Sequence, residues 1–334
     1  MSTHHPPPTT TSRFAPFHIT THAYKAINSQ PINLHVLIPK SLPSGKHPLI
    51  VHLHGGFLIT GDAMFPDWAS PWALSYQLQH SAIRISANYR LLPEANGAEI
   101  LSDIKDLWTW IETSLPSYLK TLAASSSSGI DINIEPDFDK VLVYGDSAGG
   151  YLAIQSGLMK PNLIKAIIAA YPMTYLDSPW YSTPSTSKSP FGSPQIPLQV
   201  LSEHQARIVP GTIISSATPP ARLPLAMVTL QQGLFSKFLG EEEEIYLDRV
   251  LAKKGGEAKG GKGPFLWVFH GMGDSAVPWE QSVRFLGEWK GRFGEGSAVG
   301  EWREGEHGFD GTATVEGDEW LRRGLEGVTR KWLG

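Results

Sequence analysis

The stretch VYGDSAGGYL, Val143 to Leu152, places a serine between glycines where one sequence pattern changes into another. The residues before Ser147 form an apolar, β-type run, and those after it have the spacing of a helix. Gly145 and Gly149 stand two residues on either side of the serine, where larger side chains would collide with the neighbouring backbone. The stretch predicts a strand, a sharp turn and a helix, with the hydroxyl of Ser147 exposed at the start of the helix. A tight strand-to-helix turn with a capping serine is the alternative.

Strand-like and helix-like segments alternate along most of the chain. The predicted strands cover residues 32–39, 47–56, 82–90, 139–147, 163–172, 264–274 and 298–305. Amphipathic helical patterns lie between most of them, for example at 97–115, where apolar residues recur with helical spacing. Strands that alternate with helices predict an α/β fold, with a mostly parallel sheet covered by helices on both faces.

The segment from residue 173 to residue 245 interrupts this alternation with many proline, serine, threonine and aromatic residues. A stretch of this length between two core strands is rarely a plain loop, so it predicts an inserted lid or cap. Glycine- and serine-rich runs predict a flexible tether at 253–263 and a surface loop at 123–129. The predicted organisation is a disordered N-terminus at 1–13, an α/β core at 14–172 and 264–334, and a cap with its tether at 173–263.

The composition excludes several classes of function. The chain of 334 residues has 28 Lys and Arg against 32 Asp and Glu, a formal net charge of −4, which provides no electrostatic footprint for nucleic acid or an anionic membrane. No apolar run approaches the roughly 20 residues of a membrane helix. The N-terminus lacks the charged start and apolar core of a secretory signal, so a cytoplasmic protein is expected. Cysteine is absent, which excludes disulfides, thiolate metal sites and a cysteine nucleophile.

A serine hydroxyl is a poor nucleophile at neutral pH and needs a base. Two residues later in the chain can supply that base and its acidic partner. Asp274 follows the apolar run FLWVFH in a glycine-rich loop, which places it at the same sheet edge as Ser147. His307 lies beyond the next predicted strand, between glycines in EGEHGFDG. Alone, Asp274 fits an Asx turn and His307 an exposed loop. The order serine, aspartate, histidine, each after a strand, predicts a catalytic triad.

A triad also needs hydrogen-bond donors for the oxyanion that forms when the serine attacks. Gly55 and Gly56 end the strand LIVHLH, and glycines let backbone N–H groups approach a reacting carbonyl. Ala148, directly after the serine, offers another N–H at the start of a helix. We expect these three residues to form an oxyanion hole. The alternative is a plain glycine turn after a strand.

The remaining histidines and aspartates indicate structure rather than chemistry. His52 and His54 share one face of a strand, but no further metal ligand is near them in the sequence, so we expect a structural pair and no metal. His270 is expected to be buried in its strand. Asp103 and Asp106 lie on a helix face and are expected to be solvated. The predicted chemistry requires no metal or organic cofactor.

Three motifs together resemble the hormone-sensitive-lipase-like branch of the α/β-hydrolases. They are HGG at 54–56, NYRLLPE at 88–94 and GDSAGG at 145–150. The resemblance spans roughly residues 47 to 310, and Asp274 and His307 match the acid and base positions of that family. It implies the α/β-hydrolase fold, with an eight-stranded, mostly parallel sheet and an inserted helical cap. It also implies hydrolysis of carboxylic esters through an acyl-enzyme, and a scaffolding role for Glu94.

The sequence departs from that family at Phe57, where a third glycine is usual. A phenylalanine there is expected to narrow the substrate pocket or to stack on a substrate, with Asp146 as a second pocket residue. Together with the aromatic and proline-rich cap, Phe57 predicts a small-molecule substrate, namely an ester with a mid-sized apolar acyl group or an aromatic group.

Two other functions fit the same residues. An acyl-enzyme on Ser147 can be captured by an amine or an alcohol, or the site can serve lactone opening or cyclisation in a biosynthetic pathway. Proteins of this fold can also be ligand receptors without catalysis. The presence of Ser147, Asp274 and His307 favours a serine hydrolase with a Ser-His-Asp triad. The sequence does not indicate an oligomeric state.

Overall fold

One eight-stranded sheet runs through the described residues of this computed structural model, which are 13–124, 133–218, 221–253 and 263–334. The strands are β1 (Phe17–Ile27), β2 (Gln30–Pro39), β3 (Gly45–Leu53), β4 (Ile83–Ala87), β5 (Ile134–Asp146), β6 (Ile164–Ala170), β7 (Phe265–Gly271) and β8 (Ala298–Arg303). Their order across the sheet is β1-β2-β4-β3-β5-β6-β7-β8. β2 pairs antiparallel with β1 and β4, and the other pairings are parallel. The eight-stranded, mostly parallel sheet that the resemblance implies is confirmed.

From β3 onward, helices connect consecutive strands. Those in the described residues are α1 (Pro71–Gln79), α2 (Gly97–Thr113), α3 (Leu115–Ala124), α4 (Ala148–Met159), α5 (Pro179–Ser182), α6 (Leu198–Ala206), α7 (Leu223–Gln231), α8 (Phe235–Leu239), α9 (Leu247–Lys253), α10 (Trp279–Phe293) and α11 (Glu319–Trp332). Three regions predicted from the sequence lie almost wholly outside the described residues. They are the disordered N-terminus at 1–13, the surface loop at 123–129 and the tether at 253–263.

The central strands are apolar on both sides because helices cover both faces of the sheet. Successive residues of a strand point to opposite faces. Val51 and Val143 belong to the apolar core that includes side chains of α2, α4 and α10. Ile50 and Leu142, each one residue earlier, belong to a second core with side chains of α1 and α11. The parallel strands therefore end together at one edge between two helical layers, and the loops that follow them meet there.

The strand β1 was not predicted from the sequence. Its residues, FHITTHAYKAI, include several polar side chains, and partly buried and exposed positions alternate along much of it. Among the described strands, β1 lies at the edge of the sheet and pairs with β2 alone. Most of its side chains therefore contact water, and its apolar residues do not alternate regularly as in a half-buried strand. The turn that joins it to β2 contains Asn28 and Ser29 at φ 51° and 62°, the left-handed conformation of a tight hairpin.

The connection between β6 and β7 is the long segment that interrupts the regular alternation, and its described part carries α5 to α9. It contacts the rest of the chain at several points. Gly61 and Ala217 form an antiparallel bridge, and the Arg222 guanidinium lies 2.5 Å from the carboxylate of Glu94. His204 Nε2 lies 2.9 Å from the other oxygen of Glu94. Glu94, the last residue of NYRLLPE, therefore anchors this connection to the sheet domain.

The prediction that Asp103 is solvated is wrong, because its side chain is fully buried. The carboxylate accepts hydrogen bonds from the Arg90 guanidinium at 2.9 Å and from the Arg90 backbone N–H at 3.0 Å. Lys25 Nζ lies 2.8 Å from its other oxygen. A buried charge is tolerated when it is paired and hydrogen-bonded in this way. Asp106, the other aspartate of this helix face, has a side chain that is 47% exposed, and its carboxylate lies 2.6 Å from Lys25 Nζ.

Candidate active site

Ser147 sits in a strained turn between β5 and α4. Its backbone has φ 55° and ψ −117°, a conformation that non-glycine residues rarely adopt and that recurs at functional sites. A Cβ atom at Gly145 would lie 2.0 Å from the carbonyl oxygen of Gly149, and one at Gly149 would lie 1.9 Å from the carbonyl oxygen of Leu53. Both glycines are therefore needed for the close approach of the backbone. The predicted strand, sharp turn and helix are present.

The hydroxyl of Ser147 faces a cavity of about 370 Å³ at the carboxyl edge of the sheet. His307, Phe57 and Asp146 line the same cavity. Within the described part of the chain, Ser147 Oγ is buried and has no hydrogen-bond partner. In unliganded sites the bond between nucleophile and base is often long and tightens only around a substrate. The serine thus shares one cavity with the imidazole but is not yet bonded to it.

Asp274 and His307 form a direct hydrogen bond, with 2.6 Å between Asp274 Oδ2 and His307 Nδ1. The loop after β7 supplies the aspartate, and the segment after β8 supplies the histidine. The second oxygen, Oδ1, accepts the backbone N–H groups of Ala276 and Val277, each at 2.8 Å. These bonds fix the carboxylate in one orientation. Because Nδ1 of His307 is bonded to Asp274, Nε2 is the ring atom left to accept a proton.

The environment of Asp274 keeps it ionised. Burial alone would raise its pKa, but the interaction with His307 and the hydrogen bonds from His270 and His307 outweigh burial and hold the pKa well below its ordinary value. His270 is fully buried, as expected, and its Nε2 lies 2.9 Å from Asp274 Oδ2. Its Nδ1 lies 2.8 Å from Ser282 Oγ. Sequence reasoning missed this contact with the acid, although a histidine four residues before an aspartate at the end of a strand was a visible signal.

The glycines of the HGG motif lie beside the serine. A Cβ atom at Gly55 would lie 2.5 Å from Asp146 Oδ2 and 3.4 Å from Ser147 Cβ. Gly56 has φ 110°, which favours glycine. Among the described residues, the backbone N–H groups of Gly55, Gly56 and Ala148 have no hydrogen-bond acceptor. These three expected oxyanion donors are therefore unpaired and close to the candidate nucleophile.

Phe57 forms one wall of the cavity. It has φ 59° and is 3% exposed. Its ring centroid lies 6.2 Å from that of Phe235 in α8. Phe191 of the β6–β7 connection also lines the cavity. Its ring lies 5.7 Å from the imidazole of His307, and its backbone N–H donates to Ser275 Oγ. Aromatic side chains from both parts of the chain thus border the cavity, and only Phe57 was expected there.

Asp146 is a buried carboxylate directly before the candidate nucleophile. Burial raises its pKa to about 6, although His54, His307 and Arg84 act in the opposite direction. His52 Nε2 lies 3.4 Å from Asp146 Oδ1, and the ring of His54 stacks on that of Tyr89. The described residues contain no group of three or more His, Cys, Asp or Glu arranged to hold a metal ion. Nothing found there contradicts the structural role expected for His52 and His54.

We expect Asp146→Asn to stabilise the fold at neutral pH. The pKa of Asp146 is about 6 in the folded chain against an ordinary value of 3.8, so the folded state binds this proton more tightly. Stability therefore falls as the pH rises through this interval and is reduced by the full amount above it. A difference of about two pH units corresponds to roughly 3 kcal/mol in the free energy of unfolding. Urea unfolding of the wild-type and Asp146→Asn proteins near pH 4 and near pH 8 measures this difference in stability. An equal difference at both pH values would contradict the prediction.

Sequence reasoning also missed a pair of residues beside the imidazole. The ring centroid of Tyr171 lies 4.5 Å from that of His307, and the Tyr171 hydroxyl donates to Asp310 Oδ1 at 3.0 Å. Trp72 Nε1 donates to Asp310 Oδ2 at 2.8 Å. Tyr171 directly follows β6, so its position at the end of a parallel strand was the available signal. Asp310 lies three residues after His307, but its partners are far away in the sequence.

A parallel sheet between helical layers, a serine on a strand-to-helix turn and a bonded histidine–aspartate pair at the same edge are the features of an α/β-hydrolase. The profile of a family described as alpha/beta hydrolase fold matches residues 50–205. A relative named probable carboxylesterase M8, from Phoma sp., is 31% identical over 327 residues, which cover 96% of this chain and 98% of the relative. The chain belongs to the α/β-hydrolase family, in its hormone-sensitive-lipase-like branch.

A solved structure and a further relative are also similar to this chain. The crystal structure of an esterase from Pyrobaculum calidifontis shares the fold, with a TM-score of 0.57 and 18% identity, covering 97% of this chain and 88% of that chain. Part of the non-reducing polyketide synthase Preu6 from Preussia isomera is 28% identical over 142 residues, which are 42% of this chain and 6% of the synthase. Among the described helices, none has the length and apolarity needed to cross a membrane.

Proposed function

We propose that this chain is a carboxylesterase-type serine hydrolase that cleaves small-molecule carboxylic esters through an acyl-enzyme. Ser147 is the nucleophile and His307 is the general base. Asp274 orients the imidazole and stabilises its positive charge. The observation that carries the proposal is the 2.6 Å hydrogen bond between Asp274 and His307 beside a cavity that Ser147 also lines. The named carboxylesterase relative, which matches nearly the whole chain, supports the same reaction.

The reaction has two steps. First, Ser147 Oγ attacks the ester carbonyl carbon and transfers its proton to His307 Nε2, and the same proton then passes to the leaving alcohol as the C–O bond breaks. Second, a water molecule loses a proton to His307 Nε2 and attacks the acyl carbon, and the proton returns to Ser147 as the acid leaves. The charge on the carbonyl oxygen is stabilised in both steps by backbone N–H groups of Gly55, Gly56 and Ala148, which provide roughly 3 kcal/mol per donor.

The β6–β7 connection is the proposed cap, so that residues 14–172 and 264–334 form the catalytic core and 173–263 the cap with its tether. Phe191, which borders the imidazole, and Leu223 at the start of α7 both line the cavity. A cavity of about 370 Å³ lies near the lower end of the range for small-molecule sites. Its size and aromatic walls favour esters with a mid-sized acyl group or an aromatic group.

A panel of p-nitrophenyl esters with acyl chains from acetate to laurate tests this proposal. We expect kcat/KM to be highest for short or medium chains and to fall for laurate, because a long chain does not fit the cavity. Ester hydrolysis that is absent for the whole panel and for aryl acetates would contradict the proposed activity. Hydrolysis that is fastest for laurate would contradict the proposed substrate size.

Replacing Phe57 by glycine is expected to widen the substrate range. Glycine adopts the φ of 59° at this position without strain and retains the backbone N–H. We expect kcat/KM for esters of bulky alcohols to rise roughly tenfold relative to that for ethyl esters, the usual size of one apolar contact in a pocket. Leu58→Gly is the matched control, because Leu58 is also buried with φ 60° but does not line the cavity. An equal change in both variants would contradict a role of Phe57 in selecting substrates.

The partial match to a polyketide synthase favours a second candidate function. In this alternative, the acyl group on Ser147 comes from a polyketide and is transferred to an alcohol or amine, or closes a ring, instead of reacting with water. Turnover in ¹⁸O-labelled water separates the two. Hydrolysis places one labelled oxygen in the released acid, whereas transfer or ring closure yields a product without the label.

A further inference from the structure

Asp310 is a buried carboxylate that the proposed reaction does not use. Its side chain is 0% exposed. Among the described residues, the side chains that donate hydrogen bonds to it are neutral, namely Tyr171 OH at 3.0 Å, Trp72 Nε1 at 2.8 Å and Ser70 Oγ at 3.4 Å. Burial raises its pKa, as does the nearby carboxylate of Asp146, and the bonds from Trp72 and Tyr171 only partly oppose this. A charge buried without a cationic partner is costly to the fold, and such groups cluster at functional sites.

Tyr171 connects this carboxylate to the imidazole. The backbone of Tyr171 has φ 37°, an unusual conformation fixed by a hydrogen bond from its N–H to the carbonyl of Phe269 at 2.7 Å. The other end of the side chain is fixed by the bond from the hydroxyl to Asp310. Between these two attachments, the ring lies 4.5 Å from the His307 ring, with 58° between their planes. The aromatic ring is therefore held rigidly against the candidate base.

We propose that Asp310 is a positioning residue that acts through Tyr171, and that the anchored ring fixes the imidazole of His307 and stabilises the imidazolium formed when Ser147 attacks. This inference rests on the proposed function. Asp274 fixes the imidazole through a hydrogen bond to Nδ1, whereas Tyr171 packs against the imidazole ring. A cation beside an aromatic ring is favoured by the charge distribution of the ring. Protons move only between Ser147, His307, the leaving alcohol and the attacking water, so Tyr171 and Asp310 keep their own protonation states.

Other charged groups around His307 remain unchanged when this pair is altered. Asp274 is bonded to Nδ1, and Asp146 interacts electrostatically with the imidazole. Glu306 accepts the backbone N–H groups of His307 and Ser275, both at 2.7 Å. Each of these carboxylates favours a positive charge on the imidazole of His307. The effect of Asp310 must therefore be measured as a difference between the variant and the wild-type protein, because both contain these other carboxylates.

The test uses Asp310→Asn, which removes the charge but keeps the shape, and Tyr171→Phe, which keeps the ring but removes its anchor. In both variants we expect kcat to fall roughly ten- to hundredfold with little change in KM, because the base is displaced or less stabilised. The imidazole proton signals of His307 should also shift in both variants, because the ring of Tyr171, 4.5 Å away, is no longer anchored at one position. NMR spectra with assigned His307 signals measure this change without any turnover.

Tyr76→Phe is the matched control. Tyr76 is a buried tyrosine whose hydroxyl lies 2.6 Å from Thr329 Oγ1, between α1 and α11. It should lose stability like Tyr171→Phe but keep the wild-type kcat and the wild-type NMR signals of His307. The inference is overturned if Asp310→Asn and Tyr171→Phe leave both quantities unchanged, or if the control alters them equally. Failure of the proposed function is a separate result, namely wild-type protein that hydrolyses no ester in the panel.

Discussion

Replacement of Ser147 by alanine is expected to reduce kcat for ester hydrolysis roughly 10⁴-fold or more, because the variant cannot form an acyl-enzyme. KM should change little, since the cavity walls and the oxyanion donors remain. The fold should also persist, because Ser147 Oγ makes no hydrogen bond among the described residues. Steady-state kinetics with p-nitrophenyl butyrate, together with thermal unfolding of both proteins, measure the two expectations.

Ser156→Ala provides a matched control for that experiment. Ser156 lies on the same helix, α4, and its Oγ is likewise buried without a hydrogen-bond partner in the described part of the chain. It does not line the cavity, so the variant should keep wild-type kinetics. A Ser147→Ala protein that retains more than a few per cent of the wild-type kcat would contradict the assigned nucleophile.

Asp274→Asn is expected to reduce kcat roughly 10³- to 10⁴-fold, with small changes in structure. An asparagine amide cannot stabilise the imidazolium, and it can favour the wrong tautomer of His307. The pKa of Asp274 is held below its ordinary value, so the carboxylate contributes its full stabilisation above that ordinary value and loses it only at more acidic pH. The free energy of unfolding that the variant loses should therefore be the same from about pH 6 to pH 9, where the wild-type aspartate is always ionised. Urea unfolding of both proteins across this range measures it.

Asp137→Asn is the control for loss of one carboxylate. Asp137 is a largely buried aspartate in β5 that pairs with Lys46 and Lys140, away from the cavity. The kinetics of this variant should match those of the wild-type protein. An Asp274→Asn variant with kcat within tenfold of wild type would show that the 2.6 Å bond to His307 is not catalytic.

The features that were predictable depend on short stretches of sequence. The turn at Ser147 follows from Gly145 and Gly149, because the clash that excludes larger residues arises within a few positions of the serine. The sheet follows from apolar runs that are buried on both faces. The order of Ser147, Asp274 and His307 was enough to expect all three at one edge, since parallel strands end on the same side.

The features that were missed depend on contacts between distant segments. Asp103 looks like a solvated helix residue until Arg90 and Lys25 are brought to it by the fold. Asp310 and Tyr171 are 139 residues apart in the chain, so no local pattern links them. The edge strand β1 carries too few apolar residues to be recognised without its partner. In each case the contact that reveals the residue's environment forms only after the chain has folded.

The most direct test of the central claim is covalent labelling of the intact protein with a fluorophosphonate, followed by mass spectrometry of its peptides. Such a probe reacts with a serine that is activated by a base, and a receptor of the same fold without an active triad is not labelled. We predict one label per chain, located on Ser147, and labelling that is at least about 100-fold slower in His307→Ala because the general base is missing. No labelling of the wild-type protein, a label on another residue, or an unchanged rate in His307→Ala would contradict the account.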